Sequence, residues 1–392
     1  MTYPSGGGRL SIIAACAALA SCVPEARPSG TANAQPGPRP TATAAVPAVV
    51  PVMPPAVVSM PVPPPTPRAI RPAPQALIAA VEEAVRGFDG LAGAAVRAVD
   101  DGWTVEANGR RPMPQQSVSK LWVALTLMEQ RDQGRVRLDD PITITRGDLT
   151  LFHQPIAYLV AKNGAYTTTV GDLLNRALTQ SDNTANDRLL TLVGGPGAVR
   201  DFIANKRLGE IRFGPGERLL QAGTAGLTWR QEYSLGGFSA ARAKLDPAVR
   251  KAALDRYVDN PPDGAAPLAI ADALARLARG ELLSESSTRI MLDTMGRTVT
   301  GRARLRAAMP VGWKLAHKTG TGQDLGGRNA GFNDVGLLTA PDGRRYAIAV
   351  MIGDTRASTT ARQQLIQTVA RAVTLYGPTS PATAGGLGIA AN

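Results

Sequence analysis

The sequence predicts an α+β domain in which one antiparallel five-stranded sheet is built from both ends of the folded segment and helices pack around it. Three observations predict it. Apolar runs of strand length gather in two places, Leu91 to Val105 and Lys318 to Ile352. Between them, apolar residues recur at helical spacing, as in Leu173, Leu174, Ala177 and Leu178. Asp101-Gly102 and Pro341-Asp342-Gly343 stand where antiparallel neighbours must reverse. Hydrophobic residues make up 44% of the 392, enough for one large core, and aromatics only 4%, so aliphatic side chains must fill it.

The chain begins with a segment that reads as an export signal, residues 1–21. Arg9 supplies the positive start, and Leu10 to Ala20 is an apolar run too short to span a bilayer. It ends Leu19-Ala20-Ser21-Cys22, which resembles the bacterial lipobox. That resemblance implies Cys22 as the mature first residue, lipidated and anchoring a periplasmic protein to the membrane. Val23, rather than Asp, after the cysteine points to the outer membrane. Residues 22–74 are Pro- and Ala-rich, a composition that buries no core and suits an extended, disordered tether. The folded domain is expected over 75–376, followed by a flexible Gly/Ala-rich tail, 377–392.

Within the domain, Leu77, Ile78, Val81, Val85 and Phe88 predict a helix over 75–88. Leu91 to Val99 and Trp103 to Val105 predict a hairpin. The apolar run Leu121 to Met128 predicts a helix opened by Ser117, and residues 134–170, with Pro141, Gly147 and Pro155, read as loop-rich. Helices follow at Val170 to Thr179, Thr184 to Val193, Ala266 to Ala278 and Ser286 to Met295. Strands are expected at Lys318 to Thr321, Asp334 to Thr339 and Tyr346 to Ile352, with a closing helix from Arg362 to Leu375.

Composition narrows the chemistry. The formal charge is +12, spread mainly over arginines without a Lys/Arg block, which suits a solvated basic surface or attraction to an anionic envelope polymer. No nucleic-acid motif is present. Both cysteines, Cys16 and Cys22, lie in the first 22 residues, so the domain holds no disulfide and no thiolate metal site. The two histidines, His153 and His317, form no metal-ligand pattern, and no cofactor is implied.

Chemistry enters at Ser117-Val118-Ser119-Lys120. A serine three residues before a lysine, at a helix start, puts both side chains on one face one turn apart. A lysine whose pKa is lowered by burial can take a serine's proton. Ser181-Asp182-Asn183 and Lys318-Thr319-Gly320 follow in order. This trio, with Gly194-Gly195-Pro196 and the run Thr300-Gly301-Arg302 to Pro310-Val311-Gly312-Trp313, resembles the class A β-lactamase family among the penicillin-binding serine acyltransferases. The resemblance runs from about Ala76 to Leu375. It implies a three-layer α/β/α sandwich with an all-helical subdomain; a monomer is the default expectation.

By that resemblance Ser117 is the nucleophile, Lys120 its base, and the backbone N–H groups of Ser117 and Thr321 the oxyanion donors. Ser181 relays a proton to the leaving nitrogen beside Lys318. Asn183 contacts the substrate amide and steadies Lys120, while Asp182 is structural. Thr319, Gly320, Thr321 and Arg304 receive the substrate and its carboxylate. Phe152 or His153 stands at the cleft mouth, and His317 is a strand residue.

The family's deacylating motif, Glu-x-x-Leu-Asn on a loop under the site, is matched by Glu217-Arg218-Leu219-Leu220-Gln221, with Gln221 in place of Asn. Glu210 and Glu232 are the rival carboxylates. The stretch 222–263 is longer than the family's connection, contains a candidate helix from Pro247 to Val258, and is expected to lie beside the site. The expected activity is β-lactam hydrolysis through a Ser117 ester. The alternatives are a D,D-peptidase acting on cell-wall peptides and a non-catalytic lipoprotein that binds the cell wall.

Overall fold

The computed structural model describes residues 72–377. The signal segment, Cys22, nearly all of the tether and the tail beyond Gly377 lie outside the described residues.

Pro74, which has no backbone N–H to satisfy, stands at the N-cap of α1 (Gln75–Arg86), and Leu77 and Val81 of that helix are fully buried. β1 (Leu91–Ala98) and β2 (Thr104–Ala107) form the expected hairpin. Then come α2 (Lys120–Asp132), α3 (Asn183–Leu192), α4 (Glu217–Thr224), α5 (Pro247–Asp259), α6 (Pro267–Ala278) and α7 (Glu285–Gly296). The chain returns to the sheet through β3 (Lys314–Thr321), β4 (Phe332–Thr339) and β5 (Arg345–Asp354), and closes with α8 (Thr359–Tyr376).

The sheet order is β2-β1-β5-β4-β3, antiparallel throughout, so strands from both ends of the domain meet at β1 and β5. Strand periodicity of two sends successive β5 side chains to opposite faces. Tyr346, Ile348, Val350 and Ile352 pack with Leu77 and Val81 of α1 and Leu365, Ile366 and Val369 of α8. Ala347, Ala349 and Met351 face the other way, into a core shared with Trp122 of α2, Ile270 and Leu274 of α6 and Met291 of α7. The α/β/α layering follows from that alternation. The expectation of one sheet from both termini holds.

Three local expectations are revised. Ser117 does not sit in the α-helix: Gln116–Ser119 is a single 3-10 turn, and α2 begins at Lys120. Residues 134–170 are not mainly loop. Pro141–Thr145 pairs with Ala165–Thr169, and Ile156–Asn163 is helical. Only Ile142 and Ile144 of the first strand are buried, too short an alternation to stand out against the flanking Pro and Gly. The helix from Val170 is α-helical only to Asn175. It widens into a π-turn, Arg176–Gln180, and stops at Ser181, whose φ is 62°. The stretch 222–263 carries a 3-10 turn at Gln231–Leu235, a short helix Gly237–Ala243, and α5, one residue longer than the candidate helix.

Candidate active site

The site is assembled where the turn before α2, the loop before α3, the start of α4 and β3 converge. The 3-10 turn still leaves Ser117 one turn from Lys120, and Lys120 Nζ donates to Ser117 Oγ at 2.7 Å. Lys120 is wholly buried, so its ammonium needs a protein acceptor for each proton. Asn183 Oδ1 accepts at 2.9 Å, and Glu217 Oε1 makes the third contact. Asp182 is structural, as expected: it caps α3 through Ala185 N–H at 2.9 Å and also accepts from Ile156 N–H at 2.7 Å. Asn183 Nδ2 donates to Leu151 O at 2.8 Å, which holds the amide with its oxygen towards Lys120.

On the opposite wall, Lys318 of β3 is also wholly buried, and its Nζ donates to Ser181 Oγ at 2.9 Å. Burial pushes the Lys318 pKa well below the ordinary lysine value, and the nearby charge of Lys120 pushes the same way. Thr319 Oγ1 lies 2.8 Å from Thr300 Oγ1. At Gly320 a Cβ would stand 2.3 Å from the carbonyl oxygen of Gln115, so only glycine lets β3 come this close to the turn that carries Ser117.

Arg304 lies under β3 rather than open to solvent. Its Nη1 donates to Gly320 O at 2.9 Å and Asn333 O at 2.7 Å, and its Nη2 to Thr321 Oγ1 at 2.5 Å. The guanidinium stacks 3.7 Å above the Phe332 ring, and burial brings its pKa down to about 10. It offers no free fork and reaches the cleft through Nη2, beside Thr321.

Glu217 is the first residue of α4, not a loop residue, and is 3% exposed. Its Oε2 accepts from Gln221 Nε2 at 3.2 Å. Glu210 and Glu232 are both exposed. Gln221 is held at both ends: Nε2 also donates to Gln116 Oε1 at 3.0 Å, and Oε1 accepts from Gln323 Nε2 at 3.0 Å. Asp187 of α3 accepts the backbone N–H groups of Glu217 and Arg218. Burial, reinforced by the Glu217 charge, raises Asp187 to about 6.

These side chains surround a cleft of about 370 Å³ that includes Ser117, Ser181, Asn183, Gln221, Arg304, Thr319 and Thr321 in its lining. Phe152 stands at the lip, half exposed, with φ 58°, and meets the edge of Phe238 with ring centroids 5.1 Å apart. His153, also exposed, lines the same lip, and its carbonyl accepts the Asn183 N–H at 2.9 Å. His317 is a buried strand residue, 2.8 Å from Asp334 through Nδ1. Among the described residues no group of three or more His, Cys, Asp or Glu is arranged to hold a metal ion.

Sequence reasoning missed Gln116, Gln323, Asp187, Tyr257 and Asp263, all of which touch the network below the cleft. None belongs to a short motif. The signal available for Gln116 was its place, a bulky amide directly before the nucleophile.

The family model for the beta-lactamase enzyme family matches residues 76–376. The chain is 28% identical over 291 residues to the extended-spectrum beta-lactamase PER-1 of Pseudomonas aeruginosa, covering 74% of this chain and 84% of the relative. It is 26% identical to beta-lactamase VEB-1 of the same organism, over 74% of this chain and 87% of that one. Among solved structures, a beta-lactamase from Chitinophaga pinensis superposes with a TM-score of 0.61 at 27% identity, over 76% of this chain and 97% of that one. An ancestral class A beta-lactamase superposes with a TM-score of 0.59, also at 27% identity, over 76% and 98%. With its motif serines and lysines gathered round one cleft, the chain belongs to the beta-lactamase enzyme family, class A.

Proposed function

We propose that this class A serine β-lactamase opens the β-lactam amide through an ester on Ser117 and releases the product with water activated by Glu217. The observation that carries the reading is the buried contact set of Lys120, which joins Ser117, Asn183 and Glu217. Lys120 passes a proton to Glu217 and takes the one on Ser117. The serine oxygen then adds to the β-lactam carbonyl, and the Ser117 and Thr321 N–H groups hold the oxyanion. As the C–N bond breaks, the proton taken from Ser117 reaches the nitrogen through Ser181, which Lys318 orients. Lys120 then recovers its proton from Glu217. The carboxylate that this restores takes a proton from water held between Glu217 and Gln221, the hydroxide adds to the ester, and Ser117 leaves with that proton.

The substrate carboxylate lies against Thr319 and Thr321, with Arg304 behind them. The test is nitrocefin turnover by the purified protein beside Glu217→Ala. Sustained turnover that becomes one slow stoichiometric burst in the variant is expected, because acylation loses the acceptor of the Lys120 proton and release loses its base. No turnover in either, with Ser117 still acylated by penicillin, would move the function to a cell-wall peptidase.

The protein acts as a monomer held to the periplasmic face of the outer membrane by lipid on Cys22. The support is the Leu19-Ala20-Ser21-Cys22 sequence. Palmitate labelling and membrane fractionation of Cys22→Ser test it: the variant is expected to lose label and appear in the soluble periplasmic fraction.

A further inference from the structure

One side chain of the stretch 222–263 reaches the network behind the nucleophile. α5 buries Ala253, Leu254, Tyr257 and Val258, and Leu254, Tyr257 and Val258 pack on Leu220 of α4. Tyr257 is 4% exposed, so its hydroxyl must be satisfied by protein. It accepts from Gln116 Nε2 at 2.6 Å and donates to Asp263 Oδ2 at 3.1 Å. The same Asp263 oxygen accepts the Gln116 backbone N–H at 2.8 Å.

Gln116 is the residue before the nucleophile, and its φ of 53° is a left-handed conformation that a side-chain-bearing residue adopts only when its surroundings impose it. Asp263 holds its backbone and Tyr257 holds its amide nitrogen. With the nitrogen committed to Tyr257, the amide oxygen is turned to Gln221, whose Nε2 donates to it at 3.0 Å and to Glu217 Oε2 at 3.2 Å. A continuous chain of hydrogen bonds thus runs from α5 to the carboxylate under the cleft. Gln221 is one methylene longer than the family's asparagine, and this chain is what sets where the longer side chain ends.

We propose that Tyr257 is a positioning residue for release of the acyl-enzyme: through Gln116 it fixes the rotamer of Gln221 and so the place of the attacking water at Glu217. The proposal rests on the acyl-enzyme mechanism given above. Without the hydroxyl, Gln116 Nε2 keeps only the longer 3.3 Å bond to Ala330 O, and its amide is free to turn. Acylation uses Ser117, Lys120, Ser181 and Glu217 but no attacking water, so a displaced Gln221 acts mainly on release.

The experiment compares the parent with Tyr257→Phe, Gln116→Ala and the double variant, with active sites counted by burst amplitude. Acyl-enzyme decay is followed by mass spectrometry after a single addition of nitrocefin. Tyr257→Phe is expected to acylate within about threefold of the parent and to release roughly tenfold more slowly, the effect of one buried hydrogen bond on the barrier. kcat and KM then fall together while kcat/KM holds. The double variant is expected to be no slower than Gln116→Ala alone, because the two act in series. Equal release rates per active site in parent and Tyr257→Phe, with only a lower melting temperature, would overturn the proposal, as would additive effects. A parent that never acylates overturns the mechanism and this assignment together. A parent that turns over while Tyr257→Phe matches it overturns this assignment alone.

Discussion

Asp187 Oδ1 accepts the backbone N–H of Glu217 at 3.0 Å, and its Oδ2 accepts that of Arg218 at 3.3 Å. Gly216 before α4 has no side chain to cap the helix, so a carboxylate from α3 does so across the fold. The carboxylate proposed to activate water is therefore fastened to the helix that also presents Asn183 to Lys120.

Asp187→Asn keeps one acceptor oxygen of the two, so one N–H at the start of α4 loses its partner. Release of the acyl-enzyme is expected to slow about tenfold, with acylation within about threefold, in single-turnover measurements.

Acid should act on the same contact. Burial raises Asp187 to about 6, above its unfolded value of 3.8, so the folded protein binds this proton more readily than the unfolded chain. On its account stability decreases as pH rises from the unfolded to the folded value, and the cost is constant above that. Asp263, raised to about 7 by burial, adds a decrease of the same sign that extends about one unit further. Melting curves against pH should show a shallower decrease in Asp187→Asn and in Asp263→Asn than in the parent.

Lys318→Met should separate function from stability. The ammonium is buried beside Lys120, and its pKa is depressed because the charged form is penalised. Removing it relieves that penalty, so the melting temperature is expected to hold or rise. Acylation is expected to fall on the order of 100-fold, because Ser181 loses the donor that orients it.

Arg304→Ala should do the reverse. It takes one donor from each of the Gly320 and Asn333 carbonyls and strips the nearer cation from Phe332, leaving Arg362 at 5.8 Å, a loss of about 2–4 kcal/mol in urea unfolding. KM should also rise for substrates that carry the carboxylate, with Arg304→Lys intermediate in both.

Phe238→Leu keeps apolar bulk beneath the cleft lip but removes the ring edge that meets Phe152. KM for β-lactams with aryl side chains is expected to rise roughly threefold, with little change for small ones, as the aromatic contact is worth about 0.5–1.5 kcal/mol.

Ser117, Lys120, Ser181, Lys318 and Glu217 were legible because each sits in a short run whose spacing is set by one turn or one strand. The same local logic exposed β1, β4, β5, α5 and α8, whose periodicities are long enough to read. It failed at Pro141–Thr145, where five residues with two buried isoleucines carry little pattern. It failed too at Arg176–Gln180, where a π-turn breaks a helical repeat that continues in the sequence.

By itself the sequence indicated most of the longer elements, the gathering of strands at both ends of the domain and the residues that carry the proposed chemistry, since periods and short motifs are written in neighbours within a few positions. Only the tertiary structure decided that Glu217 meets Lys120, that Asp187 caps α4, that Arg304 is turned beneath β3, and that Tyr257 reaches Gln116. Those pairs lie far apart in the chain. They meet because apolar burial brings their elements together, and each polar group buried with them must then find its partner among whatever the fold delivers.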